Sequence, residues 1–406
     1  MINACVVGMG GRGYGLLRGV LLNNKDIRIL AICDLYEDRV ARGVEAARNA
    51  GMTEVKGFSD YKEALNTKGL DAVYVFSDWS THAQIAIYAM KKGIAVASEV
   101  GCEYTLENCF NLVRTQQETG TPYMFVENCC FGKEELLATS MARNNLFGTI
   151  VHCAGAYGHD LRHEVAYGHV NRHYRFDNYQ NRCCENYPTH DFGPIAKLLN
   201  INRGNRVLTV SSFATKAVGL GEYIKTRTDA TEEMKNAQFK QGDIITTVLT
   251  CAGGETVLLS LDTTLPRSYS RNFTVRGTKG AYYQETHSVF LDGEKEYWDP
   301  ADYHQNTLKN AVQYEAQYLP GLWKNITPEE QSLGHGGMDW FAYKAFAEAL
   351  QKKEAMPIDV YDGATWQAIS VLSEISIQQG GAPQAMPDFT DGQWFKRPSK
   401  DVCDLA

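Results

Sequence analysis

Residues 2–34 read INACVVGMGGRGYGLLRGVLLNNKDIRILAICD: a mostly apolar run (Ile2–Val7), glycines at Gly8, Gly10 and Gly13, a helix-like stretch at 14–23, and a second apolar run (Ile27–Cys33) ending on Asp34. A strand that turns sharply at Gly8, lets backbone approach closely at Gly10 and packs the next helix tightly at Gly13 leaves helix N–H groups pointing at open space. That arrangement holds a pyrophosphate, and a side chain at any of the three would obstruct it. The glycine spacing alone is common. The strand before it, the helix after it and the acid at the end of the next strand together imply a dinucleotide site. Gly11 and Arg12 complete the turn, and Asp34 would bind both ribose hydroxyls and repel a 2′-phosphate, which favours NAD over NADP. Arg39 and Arg42 lie on the following helix and weaken that preference only slightly.

Working outward, apolar runs at 72–76, 94–98 and Tyr123–Val126 alternate with helical patterns, among them 82–92 and 106–118. Strands and helices in alternation predict a doubly wound Rossmann sheet, parallel, with its ligand crevice at the carboxyl ends of the strands. Ser77, His82, Glu99, Glu127 and Asn128 fall at those ends and are the expected cofactor-lining residues. Beyond residue 149 the rhythm changes to longer β-rich segments at 149–157, 206–214, 243–251, 255–262 and 272–277. These predict a mostly antiparallel open sheet, one face packed and one free. The expected division is therefore an NAD-binding Rossmann domain at 1–127 and an α+β substrate and oligomerisation domain at 128–406. A helix near 359–378 is expected to pack back on the first domain.

With 406 residues the chain is long enough for at least two cores, and its net charge of -8, without a lysine and arginine cluster, argues against nucleic acid or an anionic membrane as partner. No stretch is apolar and long enough to span a bilayer, and no signal-peptide pattern precedes the first strand. Eleven cysteines without paired CxxC spacing read as buried thiols in a reducing cytoplasm rather than disulfides or a zinc site.

Five of the ten histidines lie in 159–190, with arginines and tyrosines around them: Tyr157, His159, Arg162, His163, Tyr167, His169, Arg172, His173, Tyr174, Arg175, Tyr187 and His190. The segment has neither a helical nor a strand period and few apolar residues, and its hydroxyls, imidazoles and guanidinium groups suit a polyhydroxylated ligand. His159/His163 and His169/His173 are each four apart, but no carboxylates in ligand register accompany the histidines, so no metal is expected. Tyr187-Pro188-Thr189-His190 opens a helix, Pro188 in its first turn. A phenol and an imidazole three residues apart there can handle protons while a nicotinamide takes a hydride. The 334–339 stretch, GHGGMD, is a second glycine-histidine turn, expected either to close over the ligand through His335 or to stay a loop with Asp339 capping the next helix.

Nearly the whole chain resembles the glucose-fructose oxidoreductase/inositol dehydrogenase/MocA superfamily, through GMGGRG, FSDWSTHA, SEVGCEYTLE, VENCCFGKEEL and VRGTKGAY. Within it the chain is similar to the NAD-dependent α-N-acetylgalactosaminidases, glycoside hydrolase family 109, through AYGHDLR (156–162), Tyr174-Arg175 before ENYPTHDFGPIA, LNINRGNR (199–206) and GHGGMD. The resemblance implies a tightly held NAD that is not consumed overall, with His190, Tyr187 and Tyr157 catalytic and His159, Arg175 and His335 on the sugar. It also implies a cofactor contact for Glu99 and self-association through the second-domain sheet. Sugar dehydrogenases of the superfamily carry Lys-Pro where this chain has Val100-Gly101 after Glu99, and a DxGxH motif where it has Tyr187-Pro188-Thr189-His190. Cys183-Cys184-Glu185-Asn186 replaces the small residues expected before that motif. The implied reaction oxidises carbon 3 of the sugar, removes the carbon 2 proton through Tyr157 or Tyr187, expels the aglycone, adds water and returns the hydride. An ordinary NAD-dependent sugar or polyol oxidoreductase and a non-catalytic NAD-binding protein are the alternatives.

Overall fold

The computed structural model describes residues 1–294 and 308–405. They divide into two units, Met1–Phe131 with Ile326–Thr365, and Gly132–Asn325 with Trp366–Ala406. The helix Val360–Gln378 runs through the boundary at Thr365.

In the first unit, β1 (Ile2–Val7), β2 (Ile27–Cys33), β3 (Lys56–Phe58), β4 (Ala72–Val75), β5 (Ala95–Glu99) and β6 (Tyr123–Val126) form one sheet in the order β3-β2-β1-β4-β5-β6. Every pairing is parallel. This is the doubly wound order, reversing direction between β1 and β4, where the glycine turn lies. β4 and β6 are buried at every position, so they read as unbroken apolar runs without a polar side.

The helices are α1 (Gly11–Gly19), α2 (Glu37–Asn49), α3 (Tyr61–Ala64), α4 (Trp79–Lys91) and α5 (Leu106–Thr119). Two begin before the periodicity suggests. α1 starts at Gly11 rather than 14 and closes at Gly19, followed by a single tight turn at Leu21–Asn23. α4 starts at Trp79 rather than 82, because the Asp78 side chain accepts from the Ser80 N–H at 2.7 Å and caps it. His82 consequently sits inside the first turn with its ring buried. The helix Met338–Lys352 also belongs to this unit, its Tyr343 ring 5.8 Å from Tyr74 and 5.9 Å from Phe76. β6 receives the segment leading into the last long helix, Phe125 N–H donating to the Ile358 carbonyl at 3.1 Å.

The second unit is built on β7 (Ile150–Gly158), β8 (Val207–Ala214), β9 (Ile244–Cys251), β10 (Thr256–Asp262), β11 (Thr274–Gly277), β12 (Gly280–Tyr283), β13 (Ser288–Leu291) and β14 (Gln384–Ala385). They form a sheet in the order β13-β12-β11-β7-β10-β9-β8-β14, antiparallel except where β7 meets β10. β12, β13, β14 and the first unit's β3 have no counterpart in the sequence reading, since two to four residues are too few to show alternation.

Helices α6 (Lys133–Arg143), α7 (Arg162–Ala166), α8 (Arg175–Asn181) and α9 (Pro188–Leu198) follow or interrupt the strands. The segment 159–190 is thus not irregular throughout, as its sequence suggests. α7 and α8 are too short to display a period, and Val165, Ala166, Phe176 and Tyr179 give them a buried side. α9 lies on one face of the sheet so closely that a Cβ at Gly155 of β7 would stand 2.3 Å from the Asp191 carbonyl oxygen. Tyr157, two residues further along β7, points to the same face, and its strand partner Leu261 is buried there. The other face presents Thr250, Val248, Leu258 and Phe213, the last 54% exposed. Nine of the eleven cysteines are buried.

Candidate active site

The first unit contains a cradle that excludes side chains. Gly8 has φ +100°, and a Cβ there would lie 2.4 Å from the Phe76 carbonyl carbon; at Gly13 it would lie 2.1 Å from the Gly8 carbonyl oxygen. Nothing stands within 4 Å of a Cβ placed on Gly11, so the start of α1 opens to an approaching ligand. Asp34, buried at the end of β2, accepts from the Met9 N–H at 2.6 Å and the Tyr36 N–H at 3.0 Å. Its carboxylate thereby fixes the turn and keeps further lone pairs for a ribose. Arg42, a potential binder of a 2′-phosphate, donates to the Met9 carbonyl at 2.8 Å and lies 4.0 Å over the Tyr14 ring. These residues fit a dinucleotide.

Around the turn, Ser77 accepts from Thr81 Oγ1 at 2.8 Å, and the Ser77 carbonyl lies 2.8 Å from His82 Nε2. Burial pulls the His82 pKa down, the Ser77 carbonyl opposing it, which leaves the ring neutral at pH 7. At the end of β6, buried Glu127 accepts from the Cys129 N–H at 2.8 Å.

A feature the sequence does not announce is the role of Asp339. It does not cap its helix, whose N-cap is Gly337. Arg12 reaches it with both terminal nitrogens at 2.8 Å, and Asn128 Nδ2 donates to it at 2.7 Å. His335 Nδ1 lies 2.8 Å away, so His335, expected on the sugar, belongs to the first unit as a neighbour of Asp339 and Arg12. Arg12 also reaches Glu99 Oε1 at 3.0 Å, and the Tyr343 hydroxyl donates to the same oxygen at 2.8 Å. Burial alone would raise the Asp339 pKa; His335 and Arg12 overcome it and hold the carboxyl well below the usual carboxylate range. Arg12→Ala should destabilise the chain by about 1–2 kcal/mol: the carboxylate of Asp339 is buried and keeps only Asn128 and His335, whereas the Arg12 side chain is 37% exposed and its charge is screened by water. Denaturant titration checks it, and a change under about 0.5 kcal/mol would mean the pair is no more than a surface contact.

In the second unit, β7 and α9 bring proton-handling rings together. Tyr157 from the end of β7 stacks on Tyr187 with centroids 4.4 Å apart, and His190 meets both edge-on at 5.3 and 4.7 Å. Tyr187 precedes Pro188, the first residue of α9, and Gly155 lets that helix close down on the strand. His159 Nδ1 is 3.0 Å from the Tyr157 hydroxyl. Buried Arg175 stands 5.2 Å over the Tyr187 ring, and its Nη1 pairs with Glu164 at 3.0 Å. Burial raises the Tyr157 phenol against the pull of Arg175; burial and then Arg175 lower His159. The cluster therefore rests as a phenol beside a neutral imidazole.

Three of the other polar residues of 159–175 bond away from the rings, Arg162 to Asp160, Tyr167 to Asp229 and His169 to Glu233, while His173 Nε2 lies 3.7 Å from Glu164. Two residues of the cluster were not singled out from sequence. Glu164 orients Arg175, and Tyr269, on the connection from β10 to β11, sets its ring 5.2 Å from His159 and 6.5 Å from Tyr157. Neither lies in a recognisable motif; only folding brings them in.

Comparison with known proteins agrees with both halves. Residues 2–127 match the oxidoreductase family with an NAD-binding Rossmann fold, and residues 131–396 match the C-terminal domain of glycosyl hydrolase 109. A glycosyl hydrolase family 109 protein of Stenotrophomonas maltophilia (strain K279a) is 38% identical over 98% of this chain and 90% of its own length. An alpha-N-acetylgalactosaminidase of Tannerella forsythia is 33% identical over 98% of this chain and 88% of its own. Among solved structures, levoglucosan dehydrogenase in complex with NADH and levoglucosan superposes with a TM-score of 0.70 over 95% of this chain and all of that one, at 16% identity, a likeness of fold. The chain belongs to glycosyl hydrolase family 109, enzymes that join an NAD-binding Rossmann domain to a glycosidase-family sheet domain.

Proposed function

We propose that the chain is a glycosidase that works by transient oxidation of an N-acetylhexosaminide-like ring, the sugar named by its Tannerella relative being the first candidate. The observation that carries this reading is the stack of Tyr157 on Tyr187 with His190 and His159 at its edges. Most glycosidases place two carboxylates across the bond; here rings stand ready to move protons. Gly8, Gly10, Gly11, Gly13 and Asp34 would hold NAD, with Ser77, His82, Glu99, Glu127 and Asn128 lining the strand ends and Arg12 bracing the turn. When bound, NAD supplies an acceptor for the carbon 3 hydride and gives it back at the end.

In this scheme His190 takes the proton of the carbon 3 hydroxyl. The ketone so formed acidifies the hydrogen on carbon 2. Tyr157 removes it, Arg175 steadying the phenolate and His159 receiving the phenol's own proton across the 3.0 Å contact. The electron pair left on carbon 2 forms a double bond to carbon 1, and the aglycone departs with the carbon 1 to oxygen pair, taking a proton from water. The hydroxide left from that water adds at carbon 1, Tyr157 gives the proton back to carbon 2 and recovers its own from His159, and His190 returns its proton as the alcohol is restored. Tyr187 supports the ring stack and Arg175 binds sugar oxygens or the N-acyl group.

With 4-nitrophenyl α-N-acetylgalactosaminide in deuterium oxide and no added NAD, nitrophenol should appear and the sugar should carry deuterium at carbon 2. Release with the original hydrogen kept there ends the elimination scheme. A ketone formed in proportion to added NAD would instead mark an ordinary sugar or polyol oxidoreductase, and nucleotide binding with neither outcome a non-catalytic protein. For self-association, the outer face of the eight-stranded sheet is supported by its exposed Leu258 and Phe213.

A further inference from the structure

We propose that Asp339 is the positioning residue that makes the nucleotide a resident one. By fastening the start of α1 to the ends of β5 and β6 it sets how slowly NAD leaves, and the turn Gly334–Gly337, which it holds closed, is the segment that opens for exchange. The inference rests on NAD binding by the first unit, not on the chemistry proposed for the rings, and adds what governs the loss of that cofactor.

Every residue involved belongs to the first unit. In a doubly wound sheet a dinucleotide straddles the reversal of strand order, its pyrophosphate at the first helix and one mononucleotide on either side. Asp34, just beyond β2, marks the adenosine side; the ends of β5 and β6 lie on the nicotinamide side. Arg12, the second residue of α1, spans that divide. Its Nη1 and Nη2 each donate to Asp339 at 2.8 Å, and Nη2 also reaches Oε1 of Glu99, the last residue of β5, at 3.0 Å. Asn128, two residues past β6, donates to the same aspartate at 2.7 Å. One buried carboxylate therefore ties the helix that faces the pyrophosphate to strand ends on the nicotinamide side. Parting the two sides breaks several charge-assisted bonds at once. A cradle already held in its binding geometry also costs little ordering when the ligand arrives, and such gains show mainly as a slower departure.

The turn that leads into Asp339 has the backbone of a hinge. Gly334, His335, Gly336 and Gly337 follow one another with φ of 72°, 43°, 66° and 101°. His335 is the one residue of the four with a side chain, in a region that strains any such residue. What holds it there is Asp339: His335 Nδ1 lies 2.8 Å from Oδ2, while 57% of the ring side chain stays exposed. A Cβ on Gly334 would stand 2.5 Å from Asp339 Oδ2 and one on Gly337 2.8 Å from Ile326 Cδ1, yet nothing lies within 4 Å of one on Gly336. The turn is thus seated at both ends and open in the middle. Loss of the Asp339 charge frees Arg12 and the strained turn together.

The test uses the purified holoenzyme with its NAD bound, mixed with excess radiolabelled NAD in the absence of sugar, and follows label uptake. Asp339→Asn keeps the side-chain size and loses the ion pair, so it should exchange NAD about tenfold faster or more. Arg12→Ala should do the same, and Arg12→Lys should recover part of the difference, since an ammonium cannot bridge both oxygens as the guanidinium does. His335→Ala, at an exposed ring that does not threaten folding, should exchange about threefold faster with an unchanged melting temperature. Exchange within about twofold of the parent in Asp339→Asn and Arg12→Ala, whatever their melting temperatures, reduces the strut to a fold contact and overturns the proposal. Should Asp339→Asn fail to fold, Arg12→Ala and His335→Ala decide by the same measure. A parent that exchanges its NAD within the mixing time holds no resident nucleotide and overturns it too, whereas the glycosidase reading is judged by the deuterium experiment alone.

Discussion

His190→Ala is expected to slow aglycone release by about 10³-fold, within the 10²–10⁴ range for removal of a positioned general acid or base. NAD affinity should not change. The imidazole is carried by the third residue of α9, edge-on to Tyr157 and Tyr187 at 5.3 and 4.7 Å, so its loss removes a proton acceptor and little packing. The residues expected to hold the nucleotide are in the other unit. A slowed enzyme with intact NAD binding and a melting temperature close to that of the parent is the expected pattern, checked by calorimetric titration and steady-state kinetics. Activity within about tenfold of the parent would show that another group takes the proton, and the assignment of His190 would have to be given up.

The second large effect concerns the cradle. Gly8→Ala should abolish NAD binding and cost about 2–4 kcal/mol of stability. Gly8 combines φ +100° with a Cβ position 2.4 Å from the Phe76 carbonyl carbon and 2.5 Å from the Ser77 nitrogen, so both backbone segments would have to move. Gly11→Ala is the informative partner. Nothing lies within 4 Å of its Cβ, and it stands in a helix, where alanine is favoured over glycine by about 1 kcal/mol. That variant should keep or gain stability and still lose NAD affinity, because the added methyl meets only the ligand. Undiminished affinity in Gly11→Ala would place the pyrophosphate elsewhere; undiminished stability in Gly8→Ala would contradict the close approach itself.

How much was legible in the sequence differs between elements. The first unit's sheet was, because parallel strands buried on both faces produce continuous apolar runs and the glycine turn marks where the order reverses. Long strands of the second sheet also showed, β9 and β10 alternating over seven or eight residues. β12 and β13, four residues each, did not. Helix starts were misplaced by about three residues where a cap or a glycine, rather than an apolar residue, opens the first turn. Of the site, Tyr157, His159, Arg175, Tyr187 and His190 were found by residue type and resemblance, and the structure brings these five together.

By itself, then, the order of residues determined the Rossmann half, its turn and Asp34, and the residue types available for proton transfer, since all of these rest on neighbours within about 30 positions along the chain. Only the tertiary structure decided that Asp339 serves Arg12 rather than its own helix, that His335 joins that pair, and that Glu164 and Tyr269 stand at the rings. Arg12 and Asp339 are 327 positions apart and Tyr269 is 110 beyond His159. Contacts of that span arise when strand pairing and helix packing bring remote segments together, and no local pattern of charge or hydropathy records them.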